Sequence, residues 1–266
     1  MEYLKFILYG LIQGLTEFIP VSSTAHLKVI SVFFGLDDPG HSLSAIIQLG
    51  SVLALFYYFR NDIFKLKSQY SKKVFDYLFH QKLIMSIFIG TIPIILVGGF
   101  IKLYGPYFFD KIFRSNLSIA LVSFFMAFFM YLADSSKKGF INLVNHKYAD
   151  SFLIGLAQAF AIFPGVSRSG ITISTALISG WERADAAKFS FLLGIPAISI
   201  AAIVEFISSF NEFFSLNLLP LFVGLMTAFL SSLLAIDFLL KYFTSNGLKL
   251  FIVYRVVFGF LILLNL

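Results

Sequence analysis

The chain contains no cysteine, and few of its 266 residues are charged. Without cysteine the protein can form no disulfide, thiol nucleophile or cysteine-based metal site. Charged residues make up 13% of the chain, whereas a soluble domain averages about 25%. Hydrophobic residues make up 59% of the chain and the mean hydropathy is +0.89. The composition therefore predicts a polytopic membrane protein.

Negative charge is scarcer than positive charge, with 14 acidic against 20 basic residues and a net charge of +6. No basic run alternates with exposed aromatic residues, so the sequence does not indicate nucleic-acid binding. Basic loops suit the cytoplasmic face of a membrane, which carries anionic lipids. We therefore expect membrane lipids, and no nucleic acid, around this chain.

Six apolar runs approach the roughly 20 residues that a helix needs to cross a bilayer. These runs are Leu43–Phe59, Leu83–Leu103, Leu117–Ala133, Ala186–Ile207, Leu216–Leu240 and Leu250–Leu264. Two further regions, Tyr3–Leu36 and Phe152–Gly180, are interrupted at Pro20 and at residues 164–165. Proline stops a helix and glycine loosens it. We therefore expect an all-α polytopic membrane protein with six transmembrane helices and two re-entrant helical hairpins.

Basic residues concentrate in alternate loops, which the positive-inside rule places in the cytoplasm. They are Arg60, Lys65, Lys67, Lys72, Lys73, Lys82, Lys137, Lys138, Lys147, Arg183, Lys188, Lys241 and Lys249. The opposite loops carry only Lys111 and Arg114. This orientation puts both termini outside, so the first hairpin enters from outside and the second from inside.

Short motifs recur 145 residues apart, which indicates an inverted-topology repeat. Gly-Leu-x-Gln at residues 10–13 recurs at 155–158, and Val-Ser at 21–22 recurs at 166–167. We expect one integral-membrane domain over residues 1–266, with repeat 1 over about 1–133 and repeat 2 over about 150–266. Inverted repeats with broken helices place their site near the membrane midplane, at the repeat interface.

The first hairpin carries polar side chains where lipid-buried chain is expected. They are Gln13, Glu17, Ser22, Ser23, Thr24 and His26. Gln13 and Glu17 are four residues apart and share a helix face. The hydroxyls fall in the first turn after Pro20, where free backbone N–H groups bind anions. A charge at the centre of a membrane helix costs roughly 2.5 to 3.5 kcal/mol, so this cluster predicts a functional site.

The second hairpin carries a complementary cluster of Gly165, Ser167, Arg168, Ser169 and Thr172. The arginine offers a planar fork that matches phosphate oxygens. Together the clusters predict a phosphate pocket with a catalytic side and a clamping side.

Structural interpretations remain open beside this one. Serine and threonine also serve as small hydrogen-bonding residues at membrane helix contacts, and Glu17 with Arg168 could form a purely structural ion pair. Glu205, Asp237 and Arg255 lie towards span ends, where we expect their side chains to snorkel to the membrane surface.

At these motifs the chain resembles the undecaprenyl-diphosphate phosphatase family, also called the bacitracin-resistance proteins. The resemblance is carried by residues 13–17, 16–26 and 164–172, and more weakly by 47–51 and 189–193. It covers essentially the whole chain. Some family members have glutamate at the position of Gln13, and glycine is frequent at the position of Ala25.

The resemblance implies a hydrolase that removes the terminal phosphate of a C55 polyprenyl diphosphate. This reaction recycles the lipid carrier for peptidoglycan synthesis and confers bacitracin resistance. It implies a location in the bacterial cytoplasmic (inner) membrane, a site facing the periplasmic side, and help from a divalent cation, Mg²⁺ or Ca²⁺. The oligomeric state stays open, a homodimer included.

Within that resemblance, we expect Ser23 to be the nucleophile, with Glu17 and His26 assisting proton transfer. Glu17 could also hold the metal ion. The remaining polar residues of both clusters would bind substrate: Gln13, Ser22, Thr24, Gly165, Ser167, Arg168, Ser169 and Thr172. Alternatives are a His26 nucleophile, or water activated by Glu17 or His26. A lipid-phosphate transporter of inverted-repeat type is the rival function.

Overall fold

The computed structural model describes residues 2–36, 40–61, 74–105, 113–136, 139–208 and 217–264. Several basic residues that set the predicted orientation lie outside these ranges, namely Lys65, Lys67, Lys72, Lys73, Lys111, Lys137 and Lys138. Within the ranges the chain forms ten α-helices and one 3₁₀ turn. The helices are α1 Glu2–Phe18, α2 Ser23–Phe33, α3 Gly40–Tyr58, α4 Val74–Tyr104, α5 Asn116–Asp134, α6 Tyr148–Ala159, α7 Arg168–Ile178, α8 Arg183–Ser208, α9 Leu218–Tyr242 and α10 Lys249–Leu264.

Four helical segments are long and apolar enough to cross a membrane. They are Gln81–Tyr104, Asn116–Asp134, Arg183–Ser208 and Leu218–Tyr242. Each covers one of the six predicted apolar runs. The other two runs are also helical, in α3 and in the 16-residue α10. The prediction of an all-helical membrane protein is confirmed, while the count of six spans stays a prediction.

Both interrupted regions form a helix, a break and a second helix. The first break separates α1 from α2 at residues 19–22. The second follows a 3₁₀ turn, Phe160–Ile162, and separates α6 from α7. Each break falls at the proline that the sequence analysis singled out.

The first helix of each broken pair packs on a long helix from the other half of the chain, α1 on α9 and α6 on α4. Glycines make these contacts close. A Cβ on Gly10 would lie 2.2 Å from the carbonyl oxygen of Gly224, and one on Gly155 would lie 2.3 Å from that of Gly90. Gly10 and Gly155 open the repeated Gly-Leu-x-Gln motif, so both copies of the motif begin at a tight helix contact.

The remaining helices enclose the two breaks. Helix α3 packs against α8 and α9, α5 packs against α10, and α7 lies between α5, α6 and α8. Pro93 and Pro196 lie inside α4 and α8 without ending them. The broken ends of both pairs therefore meet in the interior of the helical assembly.

Candidate active site

Helices α2 and α7 both begin at a serine in the left-handed backbone region, with φ 80° at Ser22 and φ 70° at Ser167. Residues with a side chain rarely adopt this conformation. Each serine caps its helix, because its Oγ accepts a hydrogen bond from the backbone N–H three residues on, at 3.5 Å from Ala25 and 3.2 Å from Gly170. Strain of this kind clusters at functional sites. The two helix starts are built in the same way.

A cavity of about 170 Å³ borders both helix starts. Its polar wall combines residues from both predicted clusters with one glutamine from α3. The described lining residues are Glu17, Ser22, Ser23, Thr24, Gln48, Ile94, Ala161, Ile162, Ser167, Arg168, Ala197, Ile198 and Ala201. The N-terminal ends of two helices therefore face one small space, an arrangement that favours anions.

Glu17 is the centre of the hydrogen bonds in this cavity. Its Oε2 accepts from the Ser23 hydroxyl at 2.7 Å and from the Gln13 amide at 2.9 Å. Its Oε1 accepts a longer bond from Gln48 Nε2 at 3.4 Å. The Ser23 hydroxyl therefore points its proton at a carboxylate, the geometry of a nucleophile beside its base.

Arg168 brings positive charge to the same space. Its Nη2 lies 3.8 Å from Glu17 Oε1, and its Nη1 donates to the carbonyl of Ser190 at 2.9 Å. Its Nε and Nη2 are buried and have no hydrogen-bond partner among the described residues. Buried donors without a partner are costly, so the guanidinium is suited to a further acceptor, such as a phosphate oxygen.

Gly194 makes room for this guanidinium. A Cβ at Gly194 would lie 2.2 Å from Arg168 Nη1 and 2.5 Å from Cζ. Neither Gly194 nor Gln48 was predicted as a site residue. Two signals pointed to Gln48, its place in the weakly matching motif at 47–51 and an amide inside the apolar α3. The signal for Gly194 was a glycine inside a helix.

His26 does not line the cavity. Its Nδ1 lies 2.7 Å from the carbonyl oxygen of Ser22, and its Nε2 lies 2.6 Å from the Tyr254 hydroxyl. The ring stacks on Phe258 with a centroid distance of 4.2 Å. Because a carbonyl only accepts, Nδ1 donates, and in the neutral ring Nε2 accepts from Tyr254. Both nitrogens are thus engaged, Nδ1 with the backbone of the Ser22 cap and Nε2 with Tyr254 of α10.

Three other predicted binding residues also make contacts that hold the hairpins. The Thr172 hydroxyl lies 2.6 Å from the Ser190 hydroxyl and ties α7 to α8. Ser169 Oγ lies 3.2 Å from Ser167 Oγ and 3.4 Å from the Ile19 carbonyl. Gly165 has φ 96° and forms part of the second break. Their roles in binding substrate stay predictions.

The expectation that Arg255 snorkels to the membrane surface is wrong. Its side chain is fully buried. Its Nε donates to the carbonyl of Pro20 at 2.7 Å, while Nη1 and Nη2 donate to those of Gly165 and Val166 at 3.0 and 2.9 Å. Breaking two helices leaves carbonyls without helical partners, and this guanidinium satisfies three of them. Glu205 and Asp237, by contrast, are partly exposed beside lysines.

The residues around Glu17 fit a divalent cation only if the ligand contributes oxygens. Across the ranges that the structure describes, no three histidine, aspartate or glutamate side chains cluster as a metal site. Glu17 is a single carboxylate with the amides of Gln13 and Gln48 beside it. Mg²⁺ is commonly held by one or two carboxylates together with substrate phosphates. The donor set matches that type of binding and does not form a closed cage.

The fold and the cavity together define an all-helical membrane protein with a polar cavity at two helix starts, an arrangement that favours anions. The family model described as "Bacitracin resistance protein BacA" matches residues 6–261. A Prochlorococcus marinus (strain MIT 9312) protein named undecaprenyl-diphosphatase is 81% identical over 265 residues, covering 100% of this chain and 99% of the relative. Another with that name, from strain MIT 9313, is 46% identical over 96% of this chain and 86% of its own length. The chain belongs to the BacA family of bacitracin resistance proteins.

Proposed function

We propose that this protein is an undecaprenyl-diphosphatase, an integral-membrane hydrolase that converts undecaprenyl diphosphate to undecaprenyl phosphate and phosphate. One observation carries the proposal. A serine hydroxyl bonded to a carboxylate lines the same cavity as a buried guanidinium, two nitrogens of which have no hydrogen-bond partner among the described residues. The names of the relatives agree with this activity. The product would return to peptidoglycan synthesis, and the activity accounts for bacitracin resistance as the family's property.

The diphosphate would lie between Arg168 and the first turn of α2. Arg168 offers two N–H groups to phosphate oxygens, and the exposed Thr24 with Ser22 borders the same space. The helix starts add backbone N–H groups and their positive dipole ends. On the other wall, α4 and α8 present Ile94 and Ala197, an apolar surface suited to the isoprenoid that follows the phosphates.

Ser23 would attack the terminal phosphorus while its proton passes to Glu17 Oε2, which lies 2.7 Å away. The bond from that phosphorus to the bridging oxygen breaks, and undecaprenyl phosphate leaves. Glu17 passes this proton to the departing phosphate group. Water then attacks the phosphoserine, and Glu17 accepts a proton of the water and returns it to the Ser23 oxygen as phosphate leaves. Arg168 stabilises charge on the transferring group, which is the main contribution in this chemistry. Glu17, with the amides of Gln13 and Gln48 beside it, would hold a divalent cation, which would supply further neutralisation of negative charge.

His26 would act as a positioning residue in this scheme. Its Nδ1 is bonded to the Ser22 carbonyl and its Nε2 to Tyr254, so neither nitrogen is directed at the cavity. Those contacts favour Ser23 over His26 as the nucleophile. They leave direct attack by water as the alternative that an experiment has to separate.

In the membrane, we expect six spans and two re-entrant hairpins arranged as an inverted repeat. The reciprocal packing of α1 on α9 and of α6 on α4 supports this arrangement, as do the matching serine caps. Membership of the family supports a location in the bacterial inner membrane, and the loop charges favour an orientation with the site open to the periplasmic side.

The proposal is tested by phosphate release from undecaprenyl diphosphate with purified protein in detergent, where transport is impossible. We expect turnover, and a phosphoryl group trapped on Ser23 after rapid quenching. Ser23→Ala should lose both, whereas Ser179→Ala, which changes a serine outside the cavity, should keep both. Turnover without phosphoserine, retained in Ser23→Ala, would favour attack by water. No release from a folded sample would favour the transporter.

A further inference from the structure

Arg255 connects the two helix breaks, although they lie about 145 residues apart in the sequence. Its Nε contacts the Pro20 carbonyl at 2.7 Å, and its two terminal nitrogens contact Gly165 and Val166 at 3.0 and 2.9 Å. Pro20 lies two residues before the strained Ser22, and Val166 directly precedes the strained Ser167. One side chain therefore holds the backbone next to both strained positions.

An arginine is suited to this position for a specific reason. Backbone carbonyls freed by a helix break find no water inside a membrane and need partners from the protein. A guanidinium presents its donors in a rigid planar fork and can bond several acceptors at once. Among the described residues, no carboxylate forms an ion pair with Arg255, so its contacts are directed at the two backbones.

The other direct links between the hairpins are weaker. Ser169 Oγ reaches the Ile19 carbonyl at 3.4 Å, and Arg168 Nη2 lies 3.8 Å from Glu17 without a hydrogen bond. Helix α10 is itself fixed, because the Ser123 hydroxyl donates to the Arg255 carbonyl at 3.0 Å. The shortest hydrogen bonds joining the breaks therefore run through Arg255.

We infer that Arg255 is a positioning residue that fixes the distance between the two hairpins, and so between Ser23 and Arg168. The inference rests on the proposed function for its kinetic consequence. A misplacement of about 1 Å can cost on the order of 10²-fold in rate. Arg255 touches neither the cavity nor the reacting atoms, and it acts through the backbone of each break.

The first test compares Arg255→Lys with the wild type. Lysine keeps the charge, but its single ammonium cannot reproduce the fork across two chains. We expect kcat per folded molecule to fall about 10²-fold, because Ser23 and Arg168 lose their alignment. KM should change less than about threefold, because no contact with the substrate is removed. Arg183→Lys is the matched control, since Arg183 pairs with Asp134 at 2.8 Å outside the cavity. It should keep wild-type kinetics.

The second test measures position without using activity. The chain lacks cysteine, so spin labels can be attached at Val32→Cys and Ile178→Cys, which are exposed at the far ends of α2 and α7. We expect the distance distribution by pulsed electron resonance to broaden in Arg255→Lys and to stay narrow in Arg183→Lys. Arg255→Gln, which retains two donors, serves if Arg255→Lys does not fold.

The outcomes separate the two claims. An unchanged distance distribution, or a kcat within about twofold of wild type, would overturn the positioning role of Arg255. Broadening in a protein whose wild type releases no phosphate would leave that role intact and overturn the proposed function. When Arg255→Lys is combined with Arg168→Lys, kcat should fall by less than the product of the two single losses. Misplacing a phosphate-binding side chain that is already weakened has little further effect. A full multiplicative loss would count against the inference.

Discussion

The two hairpins share a backbone design but carry different side chains at equivalent positions. At an offset of 145 residues, Ser22 corresponds to Ser167, and both are strained serine caps. The hydrogen bond of 3.1 Å between the Ser22 and Thr24 hydroxyls corresponds to one of 3.2 Å between those of Ser167 and Ser169. The same capped helix start, of a kind that favours anions, is therefore present twice.

The difference begins one residue later, where Ser23 corresponds to Arg168. Glu17 corresponds to Ile162, and both line the cavity. Gln13 donates to Glu17 at 2.9 Å, whereas the hydrogen bond of its counterpart Gln158 within the described part of the chain is a long one, 3.5 Å to the Gly90 carbonyl. A few substitutions thus give one copy the proposed nucleophile and base, and the other copy the arginine. The predictions below remove or exchange these differences.

Removing the Arg168 side chain should have the largest effect on activity. Arg168→Ala deletes the clamp of the second hairpin, and arginines that stabilise a transferring phosphoryl group are worth about 10³-fold or more. We expect a loss of that order in kcat/KM with the protein folded, measured by phosphate release and size-exclusion chromatography. Arg183→Ala controls for the loss of an arginine outside the cavity. Normal turnover in Arg168→Ala would refute the division of roles between the hairpins.

Crowding the Arg168 guanidinium should have the next largest effect on activity. Gly194→Ala places a Cβ 2.2 Å from the present position of Arg168 Nη1, so the guanidinium must leave that position. We expect activity to fall about 10²-fold through misplacement. Gly99→Ala is the matched control, because a Cβ there meets open space and alanine favours a helix. Equal activity in both variants would show that the position of Arg168 tolerates displacement.

Replacing His26 with the residue of the other hairpin sharpens the comparison further. The counterpart of His26 is Ile171, so His26→Ile makes the two helix starts more alike. Losing the hydrogen bonds to Ser22 and Tyr254 should destabilise the start of α2 by about the net free energy of one hydrogen bond. We therefore expect kcat to fall roughly tenfold. Phosphoserine should still form in quenched samples. Complete loss of the phosphoryl-enzyme would instead favour His26 as the nucleophile.

Local sequence features predicted the two helix breaks, because proline and glycine act on the backbone where they stand. They also predicted the polar clusters, since Glu17 and Arg168 are conspicuous in an apolar chain. The sequence could not predict the roles of the residues that support these clusters, because those roles depend on contacts between separate helices. Gln48 donates to Glu17 from another helix. Gly194 matters because a side chain at that position would displace Arg168. Arg255 lies on the last helix and contacts both breaks only in the packed structure. Its charge near a span end was equally compatible with snorkelling.

The smallest effect is expected far from the cavity, at a histidine in the loop before α6. His146 lies 2.8 Å from the Ser86 hydroxyl through Nε2, and its Nδ1 lies 2.9 Å from the Leu143 carbonyl. Burial, and secondarily the charge of Lys82, lowers the pKa of His146 below its ordinary value of 6.5. The unfolded chain therefore takes up a proton at a higher pH than the folded one. Stability should be full above pH 6.5 and decline as the pH falls from there towards the lowered pKa. Thermal unfolding in detergent should show this decline, and it should be weaker in His146→Asn; an equal decline in both would assign the acid sensitivity to other groups.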